Sequence, residues 1–226
     1  MAIIKIYNND SHRMETYYRG ENEAMPYITN RTLTVREFRG SSRANMLWTD
    51  KRTMQTWNQF RAYYGAPIHV GFAFKRIWEG GHSGQSQHYA GTAFDVGQNL
   101  GATARNALRN SAIYFGKWSY VEPTYLTPTW VHFDKRQAPP ACTAGGYPLV
   151  RDGSRGIYVL VLQDALNALG YVSGTPDGMF GQRTLTQVRA FQRANGLSAD
   201  GIVGCNTWRT LTGKAVGTGK TSTVID

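Results

Sequence analysis

The chain has 226 residues, 41% of them apolar and 18% charged, with 6 Trp, 13 Tyr and 9 Phe. That composition excludes a disordered chain, and the length allows one or two domains with cores of their own. The net charge is +10, spread as +7 over residues 1–146 and +3 over 147–226, whereas a nucleic-acid surface would cluster it, so no nucleic-acid partner is expected.

In chain order, Met1 to Asn8 offers only the short apolar stretch Ala2-Ile3-Ile4. That is not a secretory signal, and Ile3 to Tyr7 is a possible strand. Asp50 to Tyr64 has helical spacing, with Met54, Trp57, Phe60 or Arg61, and Tyr64 along one face. Pro67 to Phe72 follows as a buried strand. Ala102 to Phe115 is a second helix, with Ala104, Leu108 and Ile113 expected inward. Trp118–Val121 and Thr129–Asp134 are strands. The turn residues Pro123 to Pro128 between them predict a hairpin. No apolar run approaches the roughly 18 residues that would span a bilayer as a helix.

The chemistry-bearing residues lie in Ser86-Gln87-His88-Tyr89-Ala90-Gly91-Thr92-Ala93-Phe94-Asp95 and in Trp130-Val131-His132-Phe133-Asp134. Two imidazoles and a carboxylate make a three-ligand set for a catalytic zinc ion. His88, Asp95 and His132 are therefore the expected metal ligands. Gly91 and Ala93 are small, as a tight turn beside a metal requires.

Gln137 to Gly146 contains Pro-Pro and Gly-Gly and reads as a linker. Beyond it the chain repeats. Asp177-Gly178-Met179-Phe180-Gly181-Gln182-Arg183-Thr184 matches Asp200-Gly201-Ile202-Val203-Gly204-Cys205-Asn206-Thr207 as D-G-x-Φ-G-x-x-T. Each copy is a turn feeding a helix. Val159, Leu162, Leu166 and Leu169 mark one face of a preceding helix, which Gly170 ends. Three short helices then form a bundle, and Gly213 to Asp226 is an expected flexible tail. Cys142 and Cys205 lack metal-ligand spacing; a disulfide between them and two free thiols both remain open.

Residues 147–212 resemble the peptidoglycan-binding domain of cell-wall enzymes through Leu162-Gln163, Leu169-Gly170-Tyr171, Pro176-Asp177-Gly178, Phe180-Gly181, Phe191-Gln192, Asn195-Gly196-Leu197 and Thr207-Trp208. The first half resembles the zinc D-alanyl-D-alanine metallopeptidase family over roughly Thr34 to Arg136. Together these resemblances imply an α+β fold. A small antiparallel-sheet zinc peptidase domain (1–136, core about 34–136) would be followed by a linker (137–146), a three-helix peptidoglycan-binding bundle (147–212) and a tail (213–226).

The implied activity is a zinc metallopeptidase, a D,D-carboxypeptidase or an endolysin-type endopeptidase, cutting stem peptides of bacterial peptidoglycan. The alternative is a catalytically degenerate wall-binding protein. Many relatives of this kind carry an acid three residues before the last histidine ligand, where this chain has Thr129. Asp134 and Glu122 are the candidates for the general base, with His82 a looser third. Lys75 stands where those relatives carry an arginine, and it or the adjacent Arg76 is expected to grip the peptide or its oxyanion. A monomer at the cell wall or outside the cell is expected, reached by phage-type release or after loss of a leader.

Overall fold

A computed structural model describes residues 1–142 and 146–219. Strand β1 (Ala2–Asn8) buries Ala2, Ile4 and Ile6, the alternation of a strand packed on one face. It turns back into β2 (Arg13–Arg19), paired antiparallel. Helix α1 (Val35–Arg39) is opened by a capping box between Thr34 and Glu37. Strand β3 (Met46–Asp50) runs parallel to β1, with Ile3 beside Met46. The resulting sheet, ordered β2-β1-β3, is foreshadowed in the sequence only by its first strand. All five residues of β3 are buried, so it shows no alternation.

Asp50 caps α2 (Lys51–Tyr64), its carboxylate accepting from the Thr53 amide at 2.7 Å. Strand β4 (Val70–Phe72), a 3₁₀ turn (Ile77–Glu79), the one-turn helix α3 (Gln87–Ala90) and β5 (Ala93–Val96) follow. Next come α4 (Ala102–Phe115), β6 (Tyr120–Val121) and β7 (Val131–Asp134). These strands form a second, wholly antiparallel sheet ordered β4-β5-β7-β6. Its inner face meets α2 and α4 through a buried aromatic cluster that includes Trp57, Phe60, Phe94 and Phe133. Helix α4 turns Leu108, Arg109 and Ala112 inward, while Ala104 and Ile113, expected inside, are exposed.

The C-terminal helices are α5 (Ile157–Ala168), α6 (Gln182–Ala194) and α7 (Cys205–Ala215). All twelve residues of α5 are buried. One flank packs on α6 and α7, the other on β3, the 3₁₀ turn and α3. A helix buried on every side belongs at the centre of a core, and α5 is central to both halves of the chain. Ile77, Tyr89 and Ala90 share its cluster, and Leu160 reaches the aromatic core. Arg76 and Asp164 form a buried ion pair at 2.6 Å between the halves. Cys142 and Cys205, 63 positions apart, are joined by a disulfide.

Residues 137–146 are expected to link two domains, flexibly or with light docking; the halves they connect share a buried hydrophobic cluster that joins Ile77, Tyr89 and Ala90 to the C-terminal helices, and residues 143–145 of that stretch lie outside the described residues. The expected tail is helical to Ala215. Gly217 and Gly219 donate to the carbonyls of Ile77 and Trp78 at 3.1 and 2.9 Å. Residues 220–226 lie outside the described residues.

The repeat has a physical basis. Gln163 Nε2 donates to Asp177, to the Met179 carbonyl and to Thr184 at 2.8, 3.1 and 3.2 Å. Gln192 Nε2 makes the corresponding bonds to Asp200, Ile202 and Thr207 at 3.0, 3.0 and 3.2 Å. Each Gln carbonyl oxygen accepts from the backbone of its Asp-Gly turn. The buried amide staples one helix to the turn that starts the next.

Candidate metal site

Backbone register brings two of the proposed ligands together. Asp95 on β5 lies directly opposite His132 on β7, so their side chains share a face. The third, His88, comes from α3. Ser86 caps that turn by accepting from the His88 amide, and Gly91 ends it in a left-handed conformation, φ 69°. A Cβ at Gly91 would sit 1.9 Å from the Trp48 carbonyl oxygen. Only glycine therefore allows α3 to return tightly into β5.

The donor atoms of His88, Asp95 and His132 lie within 4.8 Å of one another. His88 Nδ1 is 2.9 Å from the Ala73 carbonyl oxygen, so that nitrogen donates and Nε2 faces Asp95 at 3.3 Å. His132 Nδ1 is 2.8 Å from Asp95, and its Nε2 is 3.3 Å from Asp134. Each imidazole thus has one nitrogen on a supporting oxygen and the other turned to the common point. That is how histidines are oriented around a metal. Two nitrogens and a carboxylate oxygen also suit zinc as a donor set, so the residues fit the ion.

The electrostatics agree with the geometry. Burial works against the Asp95 carboxylate, but hydrogen bonds from His132 and His88 hold its pKa well below the usual range. Burial likewise disfavours the His132 imidazolium, yet Asp134 and Asp95 raise its pKa to about 9. The His82 ring stacks on His88 with centroids 4.5 Å apart. Burial and the neighbouring His88 push its pKa down to about 4, so it is neutral at pH 7.

These groups open into a cavity of about 270 Å³, with His82, Ser86, Glu122, Trp130 and Arg136 among its walls. Extending the β6–β7 pairing by one position sets Glu122 opposite His132; the Glu122 amide donates to the His132 carbonyl at 2.9 Å. Its side chain lies on the metal face. Arg109, from α4, donates to the carbonyls of Glu122, Thr127 and Trp130 and fixes the connection that carries Glu122 and Trp130.

The other predicted residues lie elsewhere. Asp134 is fully buried, does not line the cavity, and accepts from Arg136 as well as facing His132. It is placed to orient His132 and is closed to a substrate. Arg76 is 4% exposed, paired with Asp164 and laid over the Trp48 ring. Its charge serves the packing between the halves. Lys75 extends toward the Phe72 ring, 5.7 Å from its centre, and does not line the cavity. The cation at the cavity is instead Arg136, held by Asp134 and stacked 4.1 Å over Tyr120. Thr129 is exposed, and its carbonyl accepts from Arg105. Arg109 and Arg136 carry no sequence signal that marks them as site residues. Arg136 lies two residues past Asp134, but nothing in its spacing marks it.

Residues 155–211 match the family model described as "Putative peptidoglycan binding domain". A protein of Kitasatospora aureofaciens, "Uncharacterized protein in bpoA1 3'region", is 42% identical over 77 residues, covering 32% of this chain and 65% of that protein. The N-acetylmuramoyl-L-alanine amidase CwlM of Mycobacterium tuberculosis is 42% identical over 66 residues, covering 29% of this chain and 15% of the amidase. The match therefore spans less than two thirds of either curated relative. A crystal structure of a Clostridioides difficile peptidoglycan-binding protein in complex with glutamine hydroxamate is 39% identical, covering 31% of this chain and 44% of that one, with a TM-score of 0.29. The family match supports peptidoglycan as a ligand of the C-terminal helices and association with the cell wall. No helix among the described residues is long and apolar enough to cross a membrane.

Proposed function

We propose that the chain is a zinc-dependent peptidase that cuts stem peptides of peptidoglycan while its C-terminal helices hold the wall. The observation that carries this is the convergence of His88, Asp95 and His132 donor atoms within 4.8 Å, beside Glu122 in an open cavity. A zinc ion held there supplies Lewis acidity, acidifying water and polarising a scissile carbonyl. Glu122 takes the proton of the attacking water and returns it to the leaving amine. Trp130 and Arg136 flank the peptide, Arg136 offering a cation to a carbonyl or carboxylate of the stem. His82, neutral at pH 7, offers a second proton-accepting nitrogen on the opposite wall. Asp134 keeps the His132 ring in orientation. Anchorage by the C-terminal helices raises the local concentration of stem peptides.

The amidase among the relatives agrees with a wall-directed hydrolase. The test is release of new amines from purified peptidoglycan, with zinc and with a chelator, for wild type and His88→Ala, products identified by mass. Zinc-dependent release lost in His88→Ala is expected, and the masses separate a peptidase from an amidase. Binding to walls without release from any wall chemistry would instead support the degenerate wall-binding protein, which Thr129 in the usual acid position favours.

A further inference from the structure

Helix α3 is four residues long, too short to hold its own shape. Besides the Ser86 cap and the His88–Ala73 bond, it is held by the C-terminal half. The Tyr147 hydroxyl donates to the Ser86 carbonyl at 2.7 Å, and the Tyr147 amide donates to the Gln85 side chain at 2.9 Å. The Tyr158 hydroxyl donates to Gln87 Oε1 at 3.0 Å. The same Gln87 oxygen accepts from Thr92 at 3.2 Å, in the turn that leads to Asp95. The Tyr158 oxygen also accepts from the Gln137 amide at 3.0 Å, just beyond the strand of His132. One buried hydroxyl therefore bonds Gln87, beside His88, and Gln137, just past β7, and through Gln87 it is linked to the turn before Asp95. The wall before α3 is mounted on the same half: Gly217 and Gly219 bond to Ile77 and Trp78, and a Cβ at Gly84 would meet Thr212 at 2.7 Å.

We infer that the C-terminal helices are part of the metal-site scaffold, with Tyr147 and Tyr158 as positioning residues for the segment that carries His88. The wall-binding half then sets metal affinity and turnover as well as location. The metal part of this inference rests on the zinc-peptidase reading; the positioning of α3 does not.

The test compares full-length wild type with Tyr147→Phe/Tyr158→Phe, which removes two oxygens and leaves both rings. The control is Tyr171→Phe, whose ring packs on Phe191 instead. Two readouts are taken: zinc affinity by chelator competition, and amide hydrogen exchange at Gly91 and Thr92, which bond back to His88 and Gln87 at 3.2 and 3.1 Å. The double variant should bind zinc about 10–100-fold more weakly, the usual effect of losing support behind a ligand. Its Gly91 and Thr92 amides should exchange about tenfold faster, with β1 and the control unchanged. Wild-type exchange in the double variant overturns the inference, as does equal acceleration in β1. Faster local exchange with unchanged zinc affinity overturns its metal part. A wild type that binds no zinc sinks the peptidase reading, while the exchange comparison still decides whether these tyrosines position α3.

Discussion

Gln163 and His88 are equally buried, each 2% exposed, and they sit among polar groups of opposite character. Around Gln163, and again around Gln192, the side-chain nitrogen faces a carboxylate, a carbonyl and a hydroxyl, and the oxygen accepts from the Asp-Gly turn backbone. Around His88 a carboxylate and two imidazoles crowd a single point, and a proton must be shared to make that tolerable. Satisfied buried networks fix a fold, whereas the donor atoms of His88, Asp95 and His132 converge on one another beside an open cavity. Buried polarity alone therefore does not distinguish structure from function; the matching of donors to acceptors does.

The strongest challenge to this contrast is Glu122→Gln. It should lower amine release about 10²–10⁴-fold, the usual weight of a general base, with zinc binding retained in a chelator competition. An unaffected rate would remove Glu122 from the chemistry. Next is Asp164→Ala, which leaves the buried Arg76 charge without its carboxylate and should cost about 3–5 kcal/mol. Denaturant unfolding followed by signals from both halves should show one shared transition, as one core predicts. Two separated transitions would show that the halves fold apart.

Gln163→Ala and Gln192→Ala should each cost about 1–3 kcal/mol, because Asp-Gly turn amides lose their acceptor. Neither should change zinc affinity, whereas His88→Ala should abolish zinc binding with a much smaller loss of stability. The mildest effect concerns pH. The folded pKa of His132 is raised from 6.5 to about 9. In zinc-stripped protein its contribution to stability is full below 6.5 and lost as pH rises toward 9. Zinc displaces that proton, so apparent zinc affinity should rise with pH across this window, by at most about tenfold per unit. Calorimetric titrations at pH 6.5 and 8.5 check the sign.

The residues differ in how openly the sequence displays them. The histidines and Asp95 are legible because local pattern and strand alternation bring them to one face. Glu122 is half legible: its type and hairpin are visible, but which face it takes depends on register, and register is set across strands. The packing role of Arg76 is hidden in the sequence because its partner lies 88 positions away, beyond any local pattern. The alternation that sends Asp134 to the same side as His132 is visible, yet its burial under Arg136 is not. In α5 the spacing of Val159, Leu162 and Leu166 announces one apolar face. The neighbouring Tyr158 and Leu160 carry the second contact, and a continuous apolar run holds no period from which to read it. The three helices and their Asp-Gly turns are the most legible part, because repetition doubles the signal and the interactions are short in sequence.

The Cys142–Cys205 bond gives the chain a closed covalent loop that contains α5 and α6. A single protease cut anywhere inside that loop leaves two fragments that still travel as one molecule. On a gel the nick would show only after reduction. One such cut would therefore separate neither half from the other.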